Sequence, residues 1–346
     1  MKKILLILLL VSVMAVPVSA AEIEAPQVPD YAGELMPQDT KNFGEGLWYV
    51  VVTAVQQLRP ELAQCGKICL QLIAAVMIMA LIRGYEGKSK GIVDLVGVIA
   101  VSCMLLEPTG VLIHLGAETV EQISTYGKLL LPVMTAALAA QGGSTTSATL
   151  YTATALFDAV LSAAISGILI PMVYIFLCIC VANAAFGEEL LVRIQKFIQW
   201  LITWCLKTIL YIFTGYISIT GVITGTTDQA ALKATKLTIS GVVPVVGGIL
   251  SDASEAILVS AGLIKNAAGV YGMLALLAIA VGPFLQIGVQ YILLKMTSGI
   301  CGIIGGGKIS GLIDGFCTAM GFLLAMTGVV CVVQLVSTVC FMKGMQ

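Results

Sequence analysis

Charged residues are scarce in this chain. Asp, Glu, Lys and Arg make up 11% of its 346 residues, against about 25% in an average soluble domain. Hydrophobic residues make up 59%, and a soluble fold of this length could not bury them, because much of any folded surface faces water. The composition therefore excludes an ordinary soluble protein. It predicts an all-α fold, a polytopic transmembrane helical bundle.

The residue types that carry most enzyme chemistry are few or poorly placed. His114 is the only histidine, and it lies in an apolar stretch where a structural role is the simpler interpretation. Eight of the ten cysteines lie in or beside apolar runs, where a free cysteine packs as a small hydrophobe. Cys65 and Cys69 share one helix face but have no second Cys/His pair to complete a zinc site. Because no nucleophile–base set or dinucleotide fingerprint is present either, we expect no enzymatic activity, no metal and no cofactor.

One glycine-rich stretch resembles a phosphate-binding loop. The sequence GIIGGGKIS at 302–310 has Ile309 directly after Lys308, where such a loop needs Ser or Thr to hold Mg²⁺. The stretch therefore indicates a tight turn between two membrane helices.

The first 20 residues have the pattern of a signal peptide. Lys2 and Lys3 precede an apolar stretch at 4–16, and the small residues VSA at 18–20 provide a cleavage site,. The stretch is shorter than the roughly 20 residues that a full span requires. We predict a signal peptide over 1–20, with an uncleaved first helix as the alternative. Cleavage would leave the mature N-terminus outside the cytoplasm.

The balance of charge changes between the first two polar segments. Residues 21–64 hold seven acidic and two basic residues, and we predict a helix over about 43–58 within them. The loop at 83–90 holds three basic residues in eight positions. Because basic residues are enriched in cytoplasmic loops, we predict that 21–64 lies outside the cytoplasm and 83–90 inside.

Residues 65–346 form the predicted membrane domain. An acidic outer loop with Glu107, Glu118 and Glu121 is predicted between its second and third apolar runs,. Seven apolar runs occur in this domain, at 65–82, 92–115, 128–140, 150–182, 200–223, 267–294 and 316–341.

The third run decides the number of spans. Run 128–140 is short and contains Pro132, which favours a re-entrant segment over a crossing. Without a crossing there are six spans, and Arg193, Lys196 and Lys207 lie on the cytoplasmic side. A crossing gives seven spans and turns these basic residues outward, against their usual cytoplasmic preference.

Proline spacing indicates an internal repeat with units 127–223 and 239–335. Each unit would contain a short proline-entered segment, a long span with a central proline and a second span. Re-entrant short segments would make the repeats parallel, whereas spanning ones would make them inverted, as in many transporters. Two proline pairs with the same 39-residue spacing carry this prediction: Pro132 with Pro171, and Pro244 with Pro283.

The segment 215–272 is too polar for a span and too apolar for a free loop. Non-helical backbone at membrane depth persists only where protein buries it or water wets it. A glycine-rich, proline-entered stretch followed by a helix from about Ser251 meets both conditions. It would line a pore or substrate path, or pack against a partner subunit. The candidate residues are Pro244, Gly247, Gly248, Asp252 and Glu255.

Two further candidates are charged residues well inside apolar runs, Asp158 and Lys207. A charge at the centre of a membrane helix costs roughly 2.5–3.5 kcal/mol on insertion scales. Such residues usually face the interior of a bundle or a water-filled space, so both are candidates for a functional role.

The same polar segment resembles the stage III sporulation protein AE family. The resemblance extends from the acidic N-terminal segment to the last span, and it is strongest over about 214–272. The stretches that carry it are TGYISITG at 214–221, DQ at 228–229, KATK at 233–236, ISGVVPVVGGILSDASEA at 239–256 and KNAAG at 265–269.

This resemblance implies a role in endospore formation. Members are multi-pass proteins of the mother-cell membrane around the forespore, in a channel-like assembly required for late forespore gene expression. The implied partners are other membrane and ring-forming proteins, a secretion-type ATPase and a forespore partner, with no nucleic acid. No catalytic residues follow. The expected role is a membrane subunit of this assembly, with a permease-like core as one form of that role. The alternatives are a free-standing secondary transporter and a non-conducting scaffold.

Overall fold

An α-helix pairs every backbone N–H and C=O within its own segment, which an apolar run inside a membrane requires. The computed structural model describes residues 28–37, 43–85, 90–141, 144–242, 247–304 and 307–343. Every regular element in these residues is a helix, as the composition predicts. In chain order they are α1 (Asp30–Gly33), α2 (Phe43–Gln57), α3 (Arg59–Tyr85), α4 (Lys90–Ala140), α5 (Ser144–Ala164), a π-helical turn (Ile165–Leu169), α6 (Ile170–Phe186), α7 (Glu189–Val242), α8 (Gly247–Ile304) and α9 (Gly307–Lys343). The predicted signal peptide at 1–20 lies outside the described residues.

Within the described residues, six helical segments are long and apolar enough to cross a membrane, which confirms the predicted polytopic bundle. Both α5 and α6 belong to one of them, because the π-helical turn joins these helices without a break. The six segments are Arg59–Ile82, Gly91–Ala140, Thr145–Phe186, Glu189–Tyr216, Asn266–Ile304 and Gly307–Lys343.

The helices run alternately up and down, so their turns gather at two ends. A Cβ atom on Gly97, near the start of α4, would lie 3.2 Å from the Ile309 Cδ1 atom at the start of α9. A Cβ atom on Gly187, between α6 and α7, would lie 3.8 Å from the Lys308 Nζ atom. The start of α4, the α6–α7 turn and the start of α9 therefore lie together, and we call this the basic end.

The opposite end is more acidic. Gly269, in the first half of α8, lies against Met342 of α9 and Met134 of α4, near the ends of these two helices. Glu118 and Glu121 of α4 lie toward this end. We call it the acidic end.

Helices α4, α8 and α9 form the centre of the bundle and pack against one another. In an apolar stretch of 18 residues, 56% of the residues are buried in α8 and in α9, whereas only 17% are buried in α3 and in α7. The outer helices α3 and α7 thus leave most of their apolar side chains for lipid or for a partner, while α8 and α9 form a closely packed hairpin. Ser298 and Ser310 join this hairpin, since each hydroxyl donates a hydrogen bond to the other residue's carbonyl oxygen, at 3.0 and 2.8 Å.

Run 128–140 is the last part of α4 and does not form a separate element. The acidic stretch before it is helical too, and this differs from the predicted outer loop. At 51 residues, α4 is about 77 Å long, far more than a membrane crossing needs. Its apolar runs are therefore joined by one helix, and the re-entrance of 128–140 stays a prediction, as does the repeat.

Prolines inside the helices are accommodated in different ways. Pro108 and Pro132 lie inside α4, and Pro283 lies inside α8. Pro171 follows the π-helical turn Ile165–Leu169. A proline lacks the N–H that would bond to the preceding turn, and a local π-turn is one way in which a long helix absorbs that gap.

The N-terminal helices pack onto the centre of the bundle. Helix α2 confirms the helix predicted over 43–58 and packs on α8. In α1, the Tyr31 hydroxyl donates a hydrogen bond to the Gln122 side-chain oxygen of α4. Burial and the nearby Glu118 carboxylate raise the pKa of Tyr31 to about 12, so its hydroxyl stays protonated and keeps donating at neutral pH.

Candidate functional site

A buried carboxyl group lies where α4, α5 and α9 meet. Asp158 of α5 is 1% exposed. Its Oδ2 atom accepts a hydrogen bond from the Ser124 hydroxyl of α4 at 2.6 Å, and its Oδ1 atom accepts one from the Gln334 amide of α9 at 2.7 Å. The prediction that Asp158 faces the bundle interior is therefore confirmed by its burial and its partners.

A second set of polar side chains continues this cluster along α5 and α9. The Thr154 hydroxyl, one helical turn before Asp158, donates to the Ser337 hydroxyl at 3.1 Å. The Thr338 hydroxyl donates to the Gln334 carbonyl oxygen at 2.9 Å. All of these side chains are buried, and together we call them the polar core: Ser124, Thr154, Asp158, Gln334, Ser337 and Thr338.

A glycine lets α9 approach α4 at the polar core. A Cβ atom on Gly127 would lie only 2.5 Å from the Gln334 side-chain carbon Cδ, closer than real Cβ contacts. The space beside Gly127 is therefore filled by the Gln334 amide, which is the group that reaches Asp158. The absence of a side chain at position 127 helps to place this hydrogen bond.

The energetics of the polar core favour helix association. Hydrogen bonds between membrane helices contribute about 0.6 kcal/mol on average and up to about 1.7 kcal/mol. Removing one partner is more costly than this net gain suggests, because a buried polar group then has no partner. Since Asp158 binds groups from two other helices, it fixes the relative position of three helices at once.

An acidic cavity lies beside α4, and its lining residues are close in sequence to Ser124 of the polar core. It has a volume of about 280 Å³ and is lined by Glu118, Glu121, Gln122 and Tyr126, together with Pro29. Tyr126 is 2% exposed, and its hydroxyl has no hydrogen-bond partner among the described residues. It lies two positions after Ser124, so α4 joins this cavity to the polar core.

The structure does not bring the two charged candidates together. Lys207 is exposed on α7 and lines a narrow groove of about 130 Å³ with Phe322 and Val329 of α9. Asp158 instead binds Ser124 and Gln334. These two partners were not predicted from the sequence. Gln334 could have been noticed, because it is a polar residue within the last apolar run.

The candidates of the polar segment fall outside the described residues. Pro244 itself is not described. For Gly247, Gly248, Asp252 and Glu255 only the helical backbone is described, not their surroundings. The helix predicted from about Ser251 begins at Gly247. A pore-lining or partner-contact role for this segment stays a prediction.

Two other stretches were interpreted as structural. His114 is on an exposed face of α4, and its Nδ1 atom is 3.7 Å from the Glu118 carboxylate one turn away. The stretch at 302–310 includes the end of α8 at Ile304 and the start of α9 at Gly307, and the predicted turn at 305–306 lies outside the described residues.

The bundle and its polar core define a class of protein. In the part of the chain that the structure describes, six apolar helical segments occur, and three of them surround a hydrogen-bonded carboxyl group. This arrangement is typical of a multi-pass membrane protein with a packed polar interior. The model of the stage III sporulation protein AE family matches residues 34–344, so the chain belongs to that family. This confirms the resemblance found in the sequence.

One curated relative is stage III sporulation protein AE of Bacillus subtilis (strain 168). It is 22% identical to this chain over 220 residues, which cover 64% of this chain and 55% of the relative. The match thus spans about half the length of that relative. No solved structure matches the chain.

Proposed function

We propose that this protein is a membrane subunit of the channel-like assembly that joins the mother cell to the forespore during endospore formation. In this proposal it resides in the mother-cell membrane around the forespore, with its acidic N-terminal segment outside the cytoplasm. It performs no covalent chemistry and holds no cofactor. Family membership over residues 34–344 supports the link to sporulation.

The observation that carries the subunit role is the contrast between the helices. The central helices α8 and α9 are closely packed, whereas α3 and α7 expose large apolar and aromatic side chains such as Leu70, Ile78 and Tyr211. A multi-pass protein with so much outward-facing apolar surface can hold lipid and partner subunits at the same time. The proposed partners are the other membrane and ring-forming proteins, the secretion-type ATPase and the forespore partner.

A free-standing secondary transporter is the second candidate, and the polar core is the observation that favours it. Transporters commonly place ionisable residues in the interior of the bundle, on the path of the substrate or ion. Asp158, however, has both carboxylate oxygens bonded and is almost fully buried. This arrangement better suits a fixed joint between helices than an open binding site, so we give the subunit role precedence over both the transporter and a passive scaffold.

Affinity purification from sporulating cells tests the proposal. We expect a tagged, full-length chain that supports sporulation to recover the ATPase and the ring-forming proteins after mild crosslinking. A tagged multi-pass protein of unrelated function, expressed at the same level, is the control. Recovery of the intact chain without either partner class would contradict the subunit role and favour the free-standing transporter.

A further inference from the structure

A cavity of about 450 Å³ opens at the basic end, between the α6–α7 turn and the start of α9. The side chains of Asn183, Gln195 and Gln199 contribute three amides to its wall, and Lys196 and Lys308 contribute two ammonium groups. The cavity is separate from the polar core, since the two share no residue. Its lining is unusually polar for an apolar bundle.

The wall of this cavity is partly fixed. The Asn183 amide donates a hydrogen bond to the Gln195 side-chain oxygen at 3.4 Å, which links α6 to α7. Gly187 has a positive φ of 73°, so the chain turns sharply there and leaves space above the glycine,. The Lys308 ammonium group lies 3.8 Å from the position that a Cβ atom would take on Gly187. The Lys308 side chain of α9 therefore extends to the α6–α7 turn on the other side of the cavity.

No carboxylate lines the cavity to balance its two lysines. Glu188 directly follows Gly187 in the chain, but it is exposed and is not among the lining residues. Farther along α7 and α9, Glu189 pairs with Arg193 at 3.7 Å, and Asp314 pairs with Lys295 at 2.6 Å. Two cations and three amides around one space have the donor pattern that phosphate oxygens require.

The surroundings of the cavity are those of a membrane surface. Phe197, Trp200 and Trp204 follow Lys196 on α7, are more than half exposed, and stack with ring centroids 6.0 Å apart. Tryptophan side chains are enriched at the level of lipid headgroups. The first turns of α4, which follow the basic stretch 83–90 in the sequence, lie at the same end of the bundle. Basic pockets between membrane helices on the cytoplasmic side bind anionic headgroups.

We propose that this cavity is a phosphate-binding site, in which Lys196 and Lys308 supply the charge and Asn183, Gln195 and Gln199 supply hydrogen bonds. The phosphate belongs either to the headgroup of an anionic phospholipid or to a soluble phosphate compound. Both sources present a phosphate group to the cavity, and the experiment distinguishes the lipid from the soluble compound.

The test measures thermal unfolding of the purified, full-length protein in a neutral detergent, because a ligand that binds the folded state raises the Tm with its concentration. One arm adds anionic phosphatidylglycerol, with zwitterionic phosphatidylcholine, whose headgroup has no net charge, as its control. The other arm adds inorganic phosphate, with chloride at equal ionic strength as its control. The variants are Lys196→Gln with Lys308→Gln, and a matched control with Lys67→Gln and Lys343→Gln, which removes two exposed lysines far from the cavity.

We expect the double variant at the cavity to need at least about tenfold more ligand for the same rise in Tm, since each charge-assisted hydrogen bond contributes about that factor or more. The control variant should respond like the wild type. A response to phosphatidylglycerol alone assigns the site to lipid, and a response to inorganic phosphate assigns it to a soluble compound. Equal responses of wild type and double variant to both probes would overturn the proposal, as would an equal loss in the control variant.

A second measurement does not depend on the stability of the variants. The reference protein here is Trp48→Phe with both cavity lysines intact. Brominated phosphatidylglycerol should quench Trp200 and Trp204 of this protein in vesicles more strongly than brominated phosphatidylcholine does. In the same background, Lys196→Arg with Lys308→Arg should keep this difference because the charge is kept, and the glutamine variant should lose it. Equal quenching of the reference protein by the two lipids, without a phosphate effect on the Tm, would also refute the site.

Discussion

Asp158 shows how a single carboxyl group is kept inside an apolar bundle. Its two oxygens accept hydrogen bonds from Ser124 and Gln334, which come from helices that are distant in sequence. Gly127 provides the space in which the Gln334 amide lies. A residue that is costly to insert is therefore retained together with a specific set of partners, and each partner is needed to satisfy the others.

Substitutions of Asp158 separate its charge from its hydrogen bonds. Asparagine can accept from Gln334 and donate to the Ser124 oxygen, so we expect Asp158→Asn to fold normally and to support sporulation. Leucine leaves Ser124 and Gln334 without partners, and we expect Asp158→Leu to lose about 1–3 kcal/mol of stability. The measurements are the Tm of the purified variants, their abundance in membranes and the yield of spores. Failure of the asparagine variant at normal abundance would mean that the charge itself is required, as in a transporter.

The contacts between helices depend on small residues at a few positions. Where α6 crosses α9, a Cβ atom on Gly315 would lie 2.7 Å from the Cys180 sulfur and 3.0 Å from its Cβ atom. The second atom is close to the backbone and cannot rotate away. Close approach at small residues is a general feature of helix pairs in membranes, and here it fixes the distance between α6 and α9 near the basic end.

A methyl group at Gly315 should force these two helices apart. We expect Gly315→Ala to destabilise the protein by about 1–3 kcal/mol, as overpacking usually does, and Cys180→Ala should partly restore the loss by removing the sulfur. The Tm of the single and double variants measures both effects. Gly110→Ala in α4 is the matched control, because a Cβ atom there meets nothing within 4 Å. Equal Tm values for the Gly315 variant and this control would show that the crossing is not tightly packed.

At the scale of the whole molecule, the bundle has two chemically different ends. The start of α4, the α6–α7 turn and the start of α9 meet at the basic end, where Lys196 and Lys308 line one cavity. The acidic cavity with Glu118 and Glu121 lies toward the other end. Basic residues favour the cytoplasmic side, so this separation predicts which end faces the cytoplasm.

Cysteine labelling tests the orientation. In a cysteine-free background, single cysteines at Lys88 and Glu188 should both be protected from an impermeant thiol reagent in intact cells. The reason is that the stretch at 83–90 and the basic end both carry basic residues, which favour the cytoplasmic side. A cysteine at Glu45 in α2 should be labelled. Permeabilised cells provide the control, in which all three positions react. Labelling of position 88 from outside would reverse the predicted topology, and different results at 88 and 188 would contradict the common end.

Several elements were predictable because their signals are local. Helix α2 and the membrane spans follow from apolar runs and charges in short windows. The prediction of a loop for the stretch with Glu118 and Glu121 was wrong. The acidic residues indicated exposure to water, but they did not show that α4 continues as a helix through this stretch. The partners of Asp158 could not be derived, since Gln334 is 176 residues away and only packing brings it close.

By itself, the sequence determined that this protein is an all-α membrane bundle of the stage III sporulation protein AE family, because composition and hydropathy decide whether a chain enters lipid,. The tertiary structure decided which polar residues meet. Asp158 and Lys207 carry the same sequence signal, a charge within an apolar run, yet one is buried with two partners and the other faces outward. The direction in which a helix faces depends on its neighbours, and those contacts join residues that are far apart along the chain.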